Sequence, residues 1–289
     1  AFYAQVTAGA LLGLFLADLL KTKTANYISD EIDRLTRLPQ LMEKILDNKD
    51  EIKLGAQKTA HKKTYWATVG SGPNKAAADE IRIKLSELCY RTISSDYVED
   101  KKHIDLSSEP LILVCAAGAR ESVMSDIIKD TAIFKAHKSE TVVFANENDR
   151  RFDTDSDVLI KIPDTGEHLT PLLVTLAGHL WGYYAAREIN KDSVFFYNHR
   201  KNIEEAITSL QSENKELFEI ILEKEFKVTI ASFYRDLRKH QHNENFFSLL
   251  PPNFTSDLVL LLNYLYGRLN ASDFELDFFK QSLTPENKE

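Results

Sequence analysis

Cysteine is nearly absent: Cys89 and Cys115 are the only two in 289 residues. A chain this poor in cysteine is no disulfide-stapled scaffold. The two show no metal-ligand spacing. Each lies in an apolar stretch and reads as a small buried hydrophobe in a reducing compartment; a disulfide is the alternative that spacing leaves open. A basic excess is also lacking. The net charge is −8 and is not gathered in one tail, so there is no electrostatic footprint for nucleic acid and none for an anionic membrane surface. No basic residue precedes the apolar stretch Ala1–Leu20, so the charge pattern of a signal peptide is missing. Gln5, Thr7 and Asp18 interrupt that stretch and argue against a membrane span. There is no internal repeat, no low-complexity tract and no nucleophile elbow around any Ser–His set. Asp153, Asp155 and Asp157 alternate as in a calcium loop, but Val158 stands where the loop needs glycine and Asp164 where it needs glutamate. His240 and His242 have no further ligands near them. No metal and no cofactor is predicted.

What is present is an ordinary globular composition, 43% apolar and 28% charged, long enough for one large core or two modest ones. Three zones follow, at 1–53, 54–198 and 199–289. The first reads as helical: Leu35, Leu38, Leu41, Met42, Ile45 and Leu46 recur at helix spacing, with a break or bend expected at Pro39. Ala1–Leu20 reads as a buried helix of something larger, and the start at Ala rather than Met suggests a fragment or processed product. The second zone alternates. Strands are predicted over 64–69, 92–95, 111–115, 141–145 and 158–162, and helices over 74–89, 122–137 and 170–187. Short β-rich runs separated by helices predict a parallel sheet covered on both faces, with ligands beyond the carboxyl ends of the strands. The third zone returns to amphipathic helices carrying Ile203, Ile207, Leu210, Leu217, Ile220 and Ile221. Pro251-Pro252 breaks it, Leu258–Leu262 starts another apolar helix, and the polar end Thr284–Glu289 is expected to fray.

Within the second zone, a strand runs into Gly70-Ser71-Gly72, and the next helix ends Lys84-Leu85-Ser86-Glu87. A Lys102-His103 pair then precedes the strand Leu111–Cys115. This order resembles the opening half of the second sugar isomerase (SIS) domain in the glucosamine-6-phosphate synthase family, the glutamine–fructose-6-phosphate aminotransferases. Ala1–Gln5 looks like the helix closing that family's first SIS domain, and Pro171–Arg187 resembles the helix closing the second. The resemblance implies an α/β fold: a three-layer, flavodoxin-like parallel-sheet SIS domain flanked by a helical N-terminal segment and a helical C-terminal extension. It also implies upstream SIS and glutaminase domains, a homodimer, a cytoplasmic setting and a phosphosugar ligand of the fructose 6-phosphate class. Two features depart from the family. Its short catalytic tail with an Arg and a Lys has no copy here, for Asn198-His199-Arg200-Lys201 lies near the right place without matching. And the chain continues into the helical third zone.

By the same resemblance, Glu87 is the base that shuttles a proton between C1 and C2 of the sugar, and His103 is the ring-opening group. In the family this histidine reaches the neighbouring subunit's site. Lys84 shares a helix face with Glu87 and would orient it or touch substrate; the plainer reading of the two is a solvent-exposed ion pair, and of His103 a surface-loop histidine. Gly70, Ser71 and Gly72 precede a helix N-terminus, where backbone N–H groups can receive an anion, though a structural turn is the favoured reading. Cys115-Ala116-Ala117-Gly118 lacks the Ser/Thr cluster of a phosphate loop. Two functions compete: part of an isomerising aminotransferase, inactive as a fragment, or a non-catalytic phosphosugar-binding module. A dimerisation scaffold is a third.

Overall fold

The computed structural model describes residues 2–212, 215, 217–241 and 253–278. The backbone divides into two compact units, Ala1–Ile189 and Asn190–Glu289.

In the first unit, five strands form one sheet: β1 (Trp66–Gly70), β2 (Ile93–Asp96), β3 (Leu111–Cys115), β4 (Glu140–Asn146) and β5 (Val158–Ile162). Their order is β2-β1-β3-β4-β5, and every pairing is parallel. Parallel neighbours need a crossover; helices supply it as far as β4, and a run of turns over 147–157 carries the chain from β4 to β5. Alternation along the strands explains why both faces are dry. Leu111, Leu113, Cys115, Val142 and Phe144 point into one core cluster. Ile112, Val114, Val143 and Ala145 point into the other. The first cluster is roofed by α2 (Ala25–Asp47), α3 (Lys49–Thr59), α4 (Asn74–Cys89) and the first part of α7 (Thr170–Gln211). The second is roofed by α5 (Val98–Lys101) and α6 (Glu121–Ala136). Cys89 and Cys115 are both buried and unbridged, one on α4 and one on β3.

Two glycines set how closely α4 lies on α7. A Cβ at Gly178 would collide with the Ile81 side chain, and one at Gly182 would meet Leu85 at 2.6 Å. One turn apart on α7, they let α4 sink onto it, while Trp181 between them meets Trp66 edge-on with ring centroids 5.4 Å apart.

Three expectations are corrected. Pro39 lies inside an unbroken α2. The closing helix does not stop near Arg187 but runs to Gln211, for no glycine or proline interrupts that stretch. And α1 (Phe2–Leu19) is not a buried helix: none of its residues is buried. Phe2 and Tyr3 pack on the first core, and Leu14 and Ala17 line a groove of about 560 Å³ with Tyr27 and Leu35 of α2. Leu11, Leu12, Phe15, Leu16 and Leu19 face outward. A helix apolar all round cannot be covered by one neighbour. By length and composition α1 would also cross a bilayer, a test that a core helix of a soluble protein passes as well.

The second unit takes the rest of α7 with α8 (Leu217–Leu222), α9 (Lys224–Gln241), α10 (Phe254–Tyr266) and α11 (Phe274–Phe278). Its own core holds Leu210, Ile220, Phe226, Ile230, Phe233, Leu237 and Leu262. Pro251-Pro252, His242 and Thr284–Glu289 lie outside the described residues.

Candidate functional site

The strand order reverses between β1 and β3, and the carboxyl ends of two such strands are where ligands of an open parallel sheet are expected. The Gly70–Gly72 turn sits there. Gly70 has no room for a side chain, since a Cβ would collide with the Asn74 carbonyl oxygen. Gly72 has φ +58°, a conformation that suits glycine. Ser71 donates its hydroxyl proton to Glu99 at 3.0 Å, and Asn74 Nδ2 donates to the Ala117 carbonyl at 2.8 Å, tying the turn to the end of β3. The turn's side chains are thus engaged with protein groups. Beside it, Asp79 accepts from Lys75 and from Ser95. Partial burial works against its charge, yet those bonds hold its carboxyl below the usual range.

Lys84 and Glu87 occupy the last two turns of α4. Lys84 Nζ lies 2.9 Å from Glu87 Oε2, and the two side chains keep 40% and 57% of their exposure. The hydrogen bond to Glu87, and then its charge, raise the Lys84 pKa. Because α4 connects two parallel strands, it runs back from the carboxyl edge of the sheet. Its last turn therefore lies toward the amino edge, not at the carboxyl-edge rim where ligands of such sheets are expected. His103 is exposed on the loop after α5. That loop belongs with the second core, where Val98 and Leu106 are buried, whereas α4 belongs with the first. Glu87 and His103 are carried by opposite layers, and among the described residues no hydrogen bond or ion pair joins them. The Asp153–Asp157 segment is a turn in which Asp157 accepts from the Thr141 backbone N–H and pairs with Lys135. Among the described residues no group of His, Cys, Asp and Glu could hold a metal ion.

Sequence reasoning missed a second polar cluster. Tyr3 on α1 lies with its hydroxyl 3.0 Å from Nδ1 of His179 on α7. Glu80 Oε1 lies 3.4 Å from the other ring nitrogen, near enough to attract an imidazolium but without good hydrogen-bond geometry. Burial, more than any charge nearby, keeps His179 below its usual pKa and thus neutral at pH 7. Burial and Glu80 together raise the Tyr3 pKa. Tyr3 and His179 stand 176 positions apart, and no spacing in the sequence joins them to Glu80.

A five-stranded parallel sheet in this order, roofed on both faces, defines the class: an α/β domain of the SIS type. The C-terminal domain of glucosamine-fructose-6-phosphate aminotransferase from Francisella tularensis shares the fold, with a TM-score of 0.56 over 63% of this chain and 51% of that one at 17% identity. Within the class, sequence similarity points to one family. Glutamine–fructose-6-phosphate aminotransferase (isomerizing) of Streptomyces coelicolor is 30% identical over 181 residues, 61% of this chain and 29% of that protein. The enzyme of the same name from Corynebacterium efficiens is 27% identical over 194 residues, 65% of this chain and 31% of that protein. The chain thus spans about three-tenths of the length of these relatives. No family model matches it.

Proposed function

We propose that this chain is the second SIS portion of an isomerising aminotransferase that makes glucosamine 6-phosphate from fructose 6-phosphate and glutamine-derived ammonia. The observation that carries the reading is the similarity to enzymes of that name over more than half of the chain. In this reading 1–53 closes a preceding SIS domain and continues as a linker helix, 54–198 is the SIS domain, and 199–289 is an added helical body. The protein works as a cytoplasmic homodimer. Glu87 takes the proton from C1 and returns it at C2, Lys84 orients the carboxylate, and His103 of the other subunit assists ring opening. Exposure of Glu87 and His103 on opposite layers supports such a division between two chains. Substrate phosphate is held outside this domain, which accords with a Gly70-Ser71-Gly72 turn engaged by its own protein.

The test is Glu87→Gln in the full-length protein, with fructose 6-phosphate isomerisation and direct binding measured side by side. Turnover should fall ~10²–10⁴-fold, with affinity changed far less. Unchanged turnover eliminates the role. One observation favours the second reading, a non-catalytic phosphosugar-binding module. Arg200 and Lys201, near the place of the family's catalytic tail, lie inside α7 and pair with Glu204 and Glu205. Sugar-phosphate binding without turnover in the full-length wild type decides for that module.

A further inference from the structure

The two residues before His103 are lysines, and both side chains turn inward. Lys101 keeps only 2% of its side-chain exposure; its ammonium lies 3.5 Å from Asp96 on β2 and 3.3 Å from the Ser94 hydroxyl. Asp96 in turn accepts from Ser94 at 2.8 Å. Lys102 reaches the other way and donates to both oxygens of Asp130 on α6, at 3.0 and 3.2 Å. The Asp130 side chain keeps 4% exposure, so Lys102 is the charge that balances a buried carboxylate. A buried carboxylate requires such a partner. The segment after His103 is constrained as well. Asp105 and Glu109 both adopt left-handed φ, +55° and +47°, conformations that a non-glycine residue keeps only where its surroundings hold it. Leu106 between them is buried in the second core. A solvent-exposed loop with no task does not need, on each of two successive residues, an ion pair with one buried member.

We propose that Lys102 through Asp130, and Lys101 through Asp96, are positioning residues that fix His103 at the surface so that it meets a substrate held by another chain. The inference rests on the catalytic reading of His103 above. It gives neither lysine a substrate contact: both ammonium groups are already engaged. Lys102 acts through the placement of the next residue in the chain. A loop free to move would still bind its partner chain and the sugar would still bind its own site. The imidazole, however, would spend little time in reach, and a misplacement of about 1 Å can cost on the order of 10²-fold in rate.

The experiment compares Lys102→Met, Lys102→Arg and the double variant Lys102→Gln/Asp130→Asn in the full-length protein. Steady-state isomerisation of fructose 6-phosphate and amide hydrogen exchange over residues 98–108 are read together. Lys102→Met leaves Asp130 unpaired; its kcat should fall roughly 10- to 100-fold with KM unchanged, and exchange over 98–108 should rise while β3 and β4 stay protected. Lys102→Arg, which keeps a two-point pair with Asp130, should restore most of kcat. The double variant removes both charges but keeps a hydrogen bond; it should fold even if Lys102→Met does not, and lie between the two in kcat. Wild-type kcat in Lys102→Met or in the double variant overturns the positioning role alone. A loss that Lys102→Arg fails to restore also overturns it. A wild-type protein that never turns the sugar over overturns the catalytic reading of His103 and this role with it.

Discussion

At the scale of single residues, histidines decide how the fold answers acid. His179 is held below its usual pKa by burial, as is His199, which stacks on Phe233 in the second unit with ring centroids 4.3 Å apart. A histidine whose folded pKa is depressed contributes stability that is complete above its unfolded value of about 6.5 and is lost as pH falls below it. The groups facing His179 are Tyr3 from α1 and Glu80 and Lys84 from α4; Glu80 opposes the shift, and burial with Lys84 outweighs it. Asp79 and Asp157, whose carboxyls are held low by their partners, act in a separate window: their contribution is present above the usual carboxylate pKa and is lost below it. Thermal midpoints measured from pH 7.5 to 5 should therefore fall in the wild type. The fall should be shallower in His179→Gln, and amide protection of α1 should be the first lost, because its polar tether is Tyr3. An equally steep fall in His179→Gln would remove His179 from the account. None of this was legible in the sequence. Tyr3 and His179 stand 176 positions apart, and no local pattern links them. Lys84 and Glu87 were legible because helix spacing alone puts them together. Lys102 and Asp130, 28 positions apart, meet only once the sheet has brought α6 beside the loop.

At the scale of elements, the strands were the readable part. Runs such as Leu111–Cys115 and Thr141–Ala145 are apolar on both sides because the parallel sheet is buried on both faces, and such a run has few alternative structures. Helix ends were less readable. Pro39 lacks the N–H of a regular turn, yet Leu38 and Ile45 on either side are buried in the core; that packing outweighs the lost bond. The contact between α4 and α7 depends on Gly178, whose missing Cβ accommodates Ile81. Gly178→Ala has opposing effects. A helical glycine replaced by alanine gains about 0.5–1 kcal/mol in conformational terms, but overpacking a tight contact costs about 1–3 kcal/mol. With Ile81 fully buried, the second should win. The expected outcome is a net loss of about 1 kcal/mol in denaturant unfolding. Ile81→Val in the same chain should recover only part of it, since it removes Cδ1, one of the two Ile81 atoms (Cδ1 and Cγ1) that the new methyl would meet. Additive losses in the double variant would show that the helices do not meet there.

At the scale of the whole molecule, the proposed site is divided between chains, and that division can be counted. Glu87 lies on the layer roofed by α4 and α7, and His103 on the layer roofed by α5 and α6. If one substrate needs both, two geometries exist: both groups from one chain, or one from each of two. Glu87→Gln and His103→Asn proteins should each be nearly inactive alone. Mixed, dissociated and reassociated in equal amounts, random pairing makes half of the dimers hybrid. In a hybrid built with shared sites, one site receives both substituted side chains together, and the other receives an intact Glu87 from one chain and an intact His103 from its partner. Half the sites of half the dimers then work, so about a quarter of wild-type activity should return. With sites completed within one chain, every site carries one defect and no activity returns. Recovery must also depend on the exchange of subunits: mixing without dissociation should leave both proteins inactive, and cross-linked homodimers should stay so after mixing. The outward apolar face of α1 gives the same assay a control. Charging that face with Leu12→Glu and Leu16→Glu leaves Glu87 and His103 untouched. Any loss of recovery in that background therefore reports on assembly and not on chemistry, whereas full recovery would place the subunit contact elsewhere on the chain.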